Sequence, residues 1–291
     1  MTELHITQAM IDAYDEYTHL SLDRRKFMDK LTRLAGSGAA AAAIAPLLAA
    51  NAAHAAMIAE DDARLKAEDI TYPGAKGDVK AYLVRPADQS GKLGAVIVIH
   101  ENRGLNNHIR DVARRIALEG FLALAPDFLS PLGGTPADED AARDMFKELD
   151  AGQTIANGVA TVAFLKEHES SNGKVGAVGF CWGGGAVNDL AVNAPDLSAG
   201  VAYYGRQAEA EDVAKIKAPL LLHYAGRDER INAGIDAYKA ALEAAGKEFT
   251  VYVYEGAQHA FNNDTSEARY DAQAAGLAWE RTIAFFKEKL A

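Results

Sequence analysis

Cys181 is the only cysteine in the chain, and its surroundings are those of a nucleophile: Gly179-Phe180-Cys181-Trp182-Gly183 ends an apolar run and opens a helical pattern. A G-x-nucleophile-x-G turn between strand and helix strains its central residue and needs small neighbours where the two backbones nearly touch. Gly179, Gly183, Gly184 and Gly185 are placed to give that clearance. The thiol would then stand at a helix N-terminus, whose dipole favours thiolate over thiol. The bland alternative is a buried cysteine beside a glycine-rich packing contact. Partners for a nucleophile follow in chain order. Gly226-Arg227-Asp228 comes after the apolar run 220–225, and Gly256-Ala257-Gln258-His259-Ala260-Phe261 comes after 249–254. The order nucleophile, acid, histidine is that of a hydrolytic triad. His259 would take the thiol proton, and Asp228 would fix its tautomer and orientation.

These residues need a scaffold that brings them together. Apolar runs bounded by turn residues predict buried strands at 94–100, 121–125, 175–180, 200–204 and 220–224, with weaker ones at 80–85 and 249–254 near the edges. Helical patterns lie between them at 109–119, 154–169, 183–193, 235–245 and 272–289. Such alternation predicts an α/β domain, a mostly parallel, doubly wound sheet with helices on both faces. Each candidate residue directly follows a strand, so all of them gather at the carboxyl edge of the sheet, where open α/β folds bind ligands. Residues 126–140, with Pro126, Pro131, Gly133, Gly134 and Pro136, predict a loop at that edge, and 139–149 an amphipathic helix able to cap a pocket.

The first 55 residues read differently. Arg24-Arg25-Lys26-Phe27-Met28 precedes a low-charge, alanine-rich stretch, 34–53, that ends in Ala53-His54-Ala55, a small-x-small cleavage pattern. This is the pattern of a twin-arginine export signal, with cleavage expected near Ala55, the twin-arginine machinery as partner and the bacterial periplasm as destination. Gly36, Gly38 and Pro46 weaken a helix here, and no stable membrane anchor is expected. Residues 1–20 form a polar forerunner with no assigned role. The domains are therefore 1–55, extension and signal, and 60–291, a single α/β domain. A net charge of −11 leaves no basic footprint for nucleic acid.

Residues 60–291 resemble the dienelactone hydrolase, or carboxymethylenebutenolidase-like, family of α/β-hydrolases. The marks are Gly179-Phe180-Cys181-Trp182-Gly183-Gly184 preceded by Asn172-Gly173-Lys174-Val175-Gly176, then Ala202-Tyr203-Tyr204-Gly205, Asp228 and His259-Ala260-Phe261. The resemblance implies an α/β-hydrolase fold and hydrolysis of a small-molecule ester or lactone through an acyl-enzyme on Cys181. It also implies a role for Glu101, in His100-Glu101-Asn102-Arg103-Gly104, as the carboxylate that contacts the thiol before substrate arrives. The oxyanion hole falls by the same resemblance to the backbone N–H groups of Asn102 and Trp182. The family's two carboxylate-holding arginines are absent: the loop after Asp127 reads Phe128-Leu129-Ser130-Pro131-Leu132, and Asn263 stands four residues past His259. That departure points away from dienelactone itself and towards neutral substrates, with Arg103, Tyr204 and Arg206 as candidate substrate contacts. No cofactor and no metal are expected: His100, Glu101 and His108 are types that ligate metals, but His100 ends a buried strand and should point opposite to Glu101. A non-catalytic small-molecule-binding module and a peptidase on the same triad are the alternative readings.

Overall fold

The computed structural model describes residues 5–19, 22–49 and 56–291. Three helices come first, α1 (Gln8–Thr18), α2 (Arg24–Ala35) and α3 (Gly38–Leu48). Eight strands then form one sheet: β1 (Leu65–Pro73), β2 (Asp78–Pro86), β3 (Leu93–Ile99), β4 (Leu122–Pro126), β5 (Ser171–Phe180), β6 (Ala199–Tyr203), β7 (Leu220–Ala225) and β8 (Phe249–Tyr254). Their order is β1-β2-β4-β3-β5-β6-β7-β8. Only the β1–β2 and β2–β4 pairings are antiparallel. The remaining helices are α4 (Asn107–Leu118), α5 (Glu139–Met145), α6 (Ala151–Glu167), α7 (Trp182–Asn193), α8 (Glu229–Asn232), α9 (Ile235–Ala244) and α10 (Ala272–Leu290).

The period-2 alternation of a strand divides the core into two layers. In β3, Val96 and Val98 face the layer closed by Ile109, Val112 and Ile116 of α4 and Ile283 and Phe286 of α10. Ala95, Ile97 and Ile99 face the opposite layer, closed by Val162 and Leu165 of α6, Val187 and Leu190 of α7 and Leu242 of α9. Both faces of the central strands are thus buried, which is why they read as unbroken apolar runs. Together these features make an α/β-hydrolase fold, as expected. β1 carries no such run: Lys66, Ala67, Glu68 and Asp69 are exposed on an edge strand held by antiparallel pairing to β2.

The amino-terminal segment is helical despite Gly36, Gly38 and Pro46, and this corrects the expectation that they weaken a helix there. Gly36 adopts a left-handed φ of 79° that ends α2, and the Ser37 hydroxyl accepts from Ala40 N–H at 3.1 Å to start α3. The two glycines therefore serve as a corner, at which the chain turns by 112°. Met10, Tyr14, Tyr17, Phe27, Leu31, Ile44 and Leu48 close a small apolar core among α1, α2 and α3. Among the described residues no single helix is long and apolar enough to cross a membrane. The expected cleavage point at Ala55 lies outside the described residues.

Candidate active site

Cys181 sits on the turn between β5 and α7 with φ 55° and ψ −113°, a region that costs an L-residue roughly 1 to 3 kcal/mol and persists only where the surroundings impose it. The surroundings do impose it. A Cβ on Gly179 would lie 2.1 Å from the Gly183 carbonyl oxygen, and one on Gly183 would lie 2.4 Å from that of Ile99. A Cβ on Gly184 would meet the Tyr203 oxygen at 2.5 Å, while Gly205, not foreseen from sequence, is equally confined, 2.2 Å from Gly184. Gly185 is different: its nearest neighbour would be 3.4 Å away, ordinary contact, so it supplies no essential clearance.

His259 follows β8 and Asp228 opens α8 after β7. The Nδ1 of His259 and Oδ2 of Asp228 are 2.5 Å apart, both groups buried, and the second Asp228 oxygen accepts from Ile231 N–H at 3.2 Å. His259 Nε2 is buried without a hydrogen-bond partner. Burial disfavours its imidazolium, yet the Asp228 carboxylate, Cys181 and Asp15 outweigh that cost and hold its pKa well above the ordinary value. Burial likewise opposes ionisation of the thiol, but His259 and His19 prevail and bring Cys181 down to about 6. Asp228 is held below its usual range, burial notwithstanding, chiefly by His259.

His19, from the segment without an assigned role, stands at the thiol: its Nε2 is 3.4 Å from Sγ of Cys181, and its ring meets that of His259 edge to face with centroids 4.6 Å apart. Its Nδ1 is 2.8 Å from the Asp15 carbonyl and 3.2 Å from the Asp15 carboxylate. The i, i+4 spacing of Asp15 and His19, one turn apart where α1 ends, was the available sequence signal. A ring nitrogen from each of His19 and His259 and the sulfur of Cys181 lie within 4.8 Å of one another. That set could ligate a soft metal, at the cost of engaging the sulfur that would attack.

Glu101 is placed otherwise than the resemblance implied. Its Oε2 accepts from the Asn263 side chain at 2.9 Å and its Oε1 is buried without a hydrogen-bond partner; the hydrogen-bond neighbour of the thiol is His19. Asn263, four residues past His259, is what takes Glu101. Asn102 and Trp182 both line the cavity in front of Cys181, which measures about 440 Å³. The N–H of Trp182 lies in the first turn of α7, where amides lack intrahelical partners. Tyr204, with φ 38°, lines the same cavity, its ring 4.9 Å from that of His259. Of the two candidate arginines, Arg206 is at the cavity wall but its guanidinium bonds Asp189 at 2.6 Å. Arg103 is corrected: it is buried away from the cavity, donating to the Glu139 carbonyl at 3.0 Å and to Asp140 at 3.2 Å. Arg230 lines the cavity instead. His100 bonds the backbone through both ring nitrogens, to Glu101 O at 2.7 Å and Phe128 N at 3.1 Å, so it is a satisfied core residue stacked on Trp182. The roof of the cavity includes Phe146 and Leu149 after α5, as the 139–149 pattern suggested.

An α/β-hydrolase sheet with a strained cysteine elbow and a histidine–aspartate pair defines the class of protein. Within it, the sequence profile of the dienelactone hydrolase family matches residues 79–290, and the chain belongs to that family. A Salmonella typhi relative named as a carboxymethylenebutenolidase is 33% identical over 247 residues, covering 80% of this chain and 91% of its own. The crystal structure of a Klebsiella pneumoniae protein described as a dienelactone hydrolase superposes with a TM-score of 0.70 at 29% identity, over 77% of this chain and 98% of its own. A bacterial brefeldin A esterase shares the fold alone, at 14% identity and a TM-score of 0.67, but over 99% of this chain and 95% of its own. The chain is accordingly a hydrolase of the ester and lactone class.

Proposed function

We propose that the chain hydrolyses neutral carboxylic esters or lactones through a Cys181–His259–Asp228 triad. The observation that carries this is the Cys181 thiol, on a strained turn at a helix N-terminus and within 4.8 Å of a ring nitrogen of the Asp228-paired His259, both lining a cavity large enough for a small substrate. The thiolate adds to the carbonyl carbon, and the charge that develops on the carbonyl oxygen is met by the Asn102 and Trp182 N–H groups. Collapse of the tetrahedral adduct expels the alkoxide, which takes its proton from His259, leaving a thioester on Cys181. Neutral His259 then removes a proton from water, the hydroxide adds to the thioester carbonyl, and the acid leaves as the thiolate returns. Asp228 holds the imidazole in the tautomer that presents Nε2 to these steps. Turnover of a panel of esters and lactones by wild type, with Cys181→Ala as blank, tests the reading: activity retained in the variant removes it.

For its address, we propose export by the twin-arginine route, which carries folded cargo. The Arg24–Arg25 pair in the first turn of α2 supports it, with the Arg24 side chain 73% exposed.

A further inference from the structure

The helix α1 lies along the catalytic residues rather than beside the domain at large. The Thr18 carbonyl accepts from the Asn102 side chain at 2.6 Å. Gln8 accepts from Arg227 at 2.8 Å and donates to Gln258 at 2.9 Å, so it touches the neighbours of both Asp228 and His259. Tyr17 lies under the Arg143 guanidinium at 4.0 Å, and Tyr14 is 5.0 Å from that of Arg269. These contacts deliver His19 to Sγ of Cys181, and the cavity in front of the thiol stays open with His19 in its wall. A segment that merely stopped the site would fill that space.

Resting on the Cys181 reading above, we infer that His19, oriented by Asp15, is a second catalytic histidine of this enzyme, donating a hydrogen bond from Nε2 to the Cys181 thiolate while His259 carries the proton transfers. Asp15 acts on the sulfur through His19 and is a positioning residue. The charged groups around the pair are consistent with this division. His19 faces Cys181, Asp15 and His259; Asp15 faces His19, His259 and Arg230. Burial works against the imidazolium of His19, but the thiolate and the Asp15 carboxylate outweigh it, so its pKa is raised. One imidazolium donating to the sulfur and a second beside it keep more of it ionised in mildly acidic solution than either would alone.

The test uses the full-length chain and reads the thiol directly. Alkylation by iodoacetamide is followed against pH for wild type, His19→Gln, His19→Gly, Asp15→Asn, His259→Ala and Cys181→Ala, beside ester turnover and thermal melting of each. His19→Gln should label about five-fold more slowly at pH 6 and approach the wild-type rate in alkaline solution, because a one-unit rise from about 6 takes the thiolate fraction at that pH from about a half to about a tenth. Asp15→Asn should show the same pattern to a smaller extent. Added imidazole should restore fast labelling to His19→Gly, which a merely structural loss would not allow. Labelling and turnover that are unchanged, or faster, in folded His19→Gln overturn the inference, and a gain would make the segment a stopper. Should Cys181→Ala stay active, the hydrolytic reading itself falls; a dead Cys181→Ala with an indifferent His19→Gln sinks only the role of His19.

Discussion

At the scale of the residue, the site is a contest between burial and charge at one sulfur. An isolated buried thiol is hard to ionise, yet His259 and His19 bring Cys181 to about 6, so its alkylation rate should rise through pH 6 and level off by neutrality. In His259→Ala the rise should move into the alkaline range of an ordinary thiol, and turnover should fall by about three orders of magnitude or more. A rise that stays near pH 6 in this variant would show that His259 does not govern the sulfur. The cavity wall gives a second prediction. Of the two arginines on the wall, Arg206 already has a carboxylate partner in Asp189 and Arg230 faces the Asp15 carboxylate, so a neutral lactone should be turned over more efficiently than its carboxylate analogue. A charge-assisted contact is worth about 1.5 to 3 kcal/mol, or roughly ten- to a hundred-fold, and Arg206→Ala should change the anionic-to-neutral ratio of kcat/KM by less than about five-fold. A larger change would place an anionic group of the substrate on Arg206. Cys181, Asp228 and His259 were legible in sequence because each directly follows an apolar run. His19 was not: it lies 162 residues from the sulfur it touches, and its one local mark, a carboxylate a helical turn earlier, does not say what the imidazole meets.

At the scale of the element, the elbow works because β5 and α7 approach to backbone contact, and the approach is unevenly distributed over its glycines. Gly179→Ala places a methyl against the Gly183 carbonyl and should cost about 3 kcal/mol or more in urea unfolding, at the upper end of overpacking penalties. Gly185→Ala meets its nearest atom at 3.4 Å inside a helix, where alanine is better by up to about 1 kcal/mol, so it should leave stability unchanged or slightly raised. Equal penalties for the two would mean that the close approach does not hold the turn. The sequence motif marked four glycines without grading them, because spacing records which residues are small and not which backbone stands opposite. The same limit explains the elements. The runs buried on two faces, β3 to β7, and the amphipathic α4, α6 and α10 are legible from periodicity. β1 owes its state to pairing with β2, a long-range cause that leaves a charged, half-alternating strand without a local signature. The folding of α2 and α3 was obscured by reading Gly36 as a helix breaker within one stretch, whereas it is the corner between two.

At the scale of the whole molecule, one segment carries two proposed tasks, and they constrain each other. As an address, it must offer Arg24 and Arg25 to a receptor that distinguishes guanidinium from ammonium. As an active-site wall, it must stay folded on the domain, with Phe27 and Leu31 buried. The two are compatible in the uncut chain because the arginines lie on the outer side of α2. The Arg24 contact to Asp140 is an exposed ion pair, of the kind worth about 1 kcal/mol or less, so a receptor can displace it at small cost. Replacing both arginines by lysine keeps the charge and should leave thermal stability within about 0.5 kcal/mol of wild type. Fractionated cells expressing that variant should nonetheless lose the periplasmic pool, which wild-type cells retain. Periplasmic amounts equal to wild type would remove the export proposal and leave the segment as an active-site element alone. The form found in the periplasm then decides how the tasks are ordered. Uncut protein should label at pH 6 as fast as the purified full-length chain, whereas protein cut near Ala55 has lost His19 and should label as slowly as His19→Gln, so that export would be followed by a fall in the reactivity of the nucleophile.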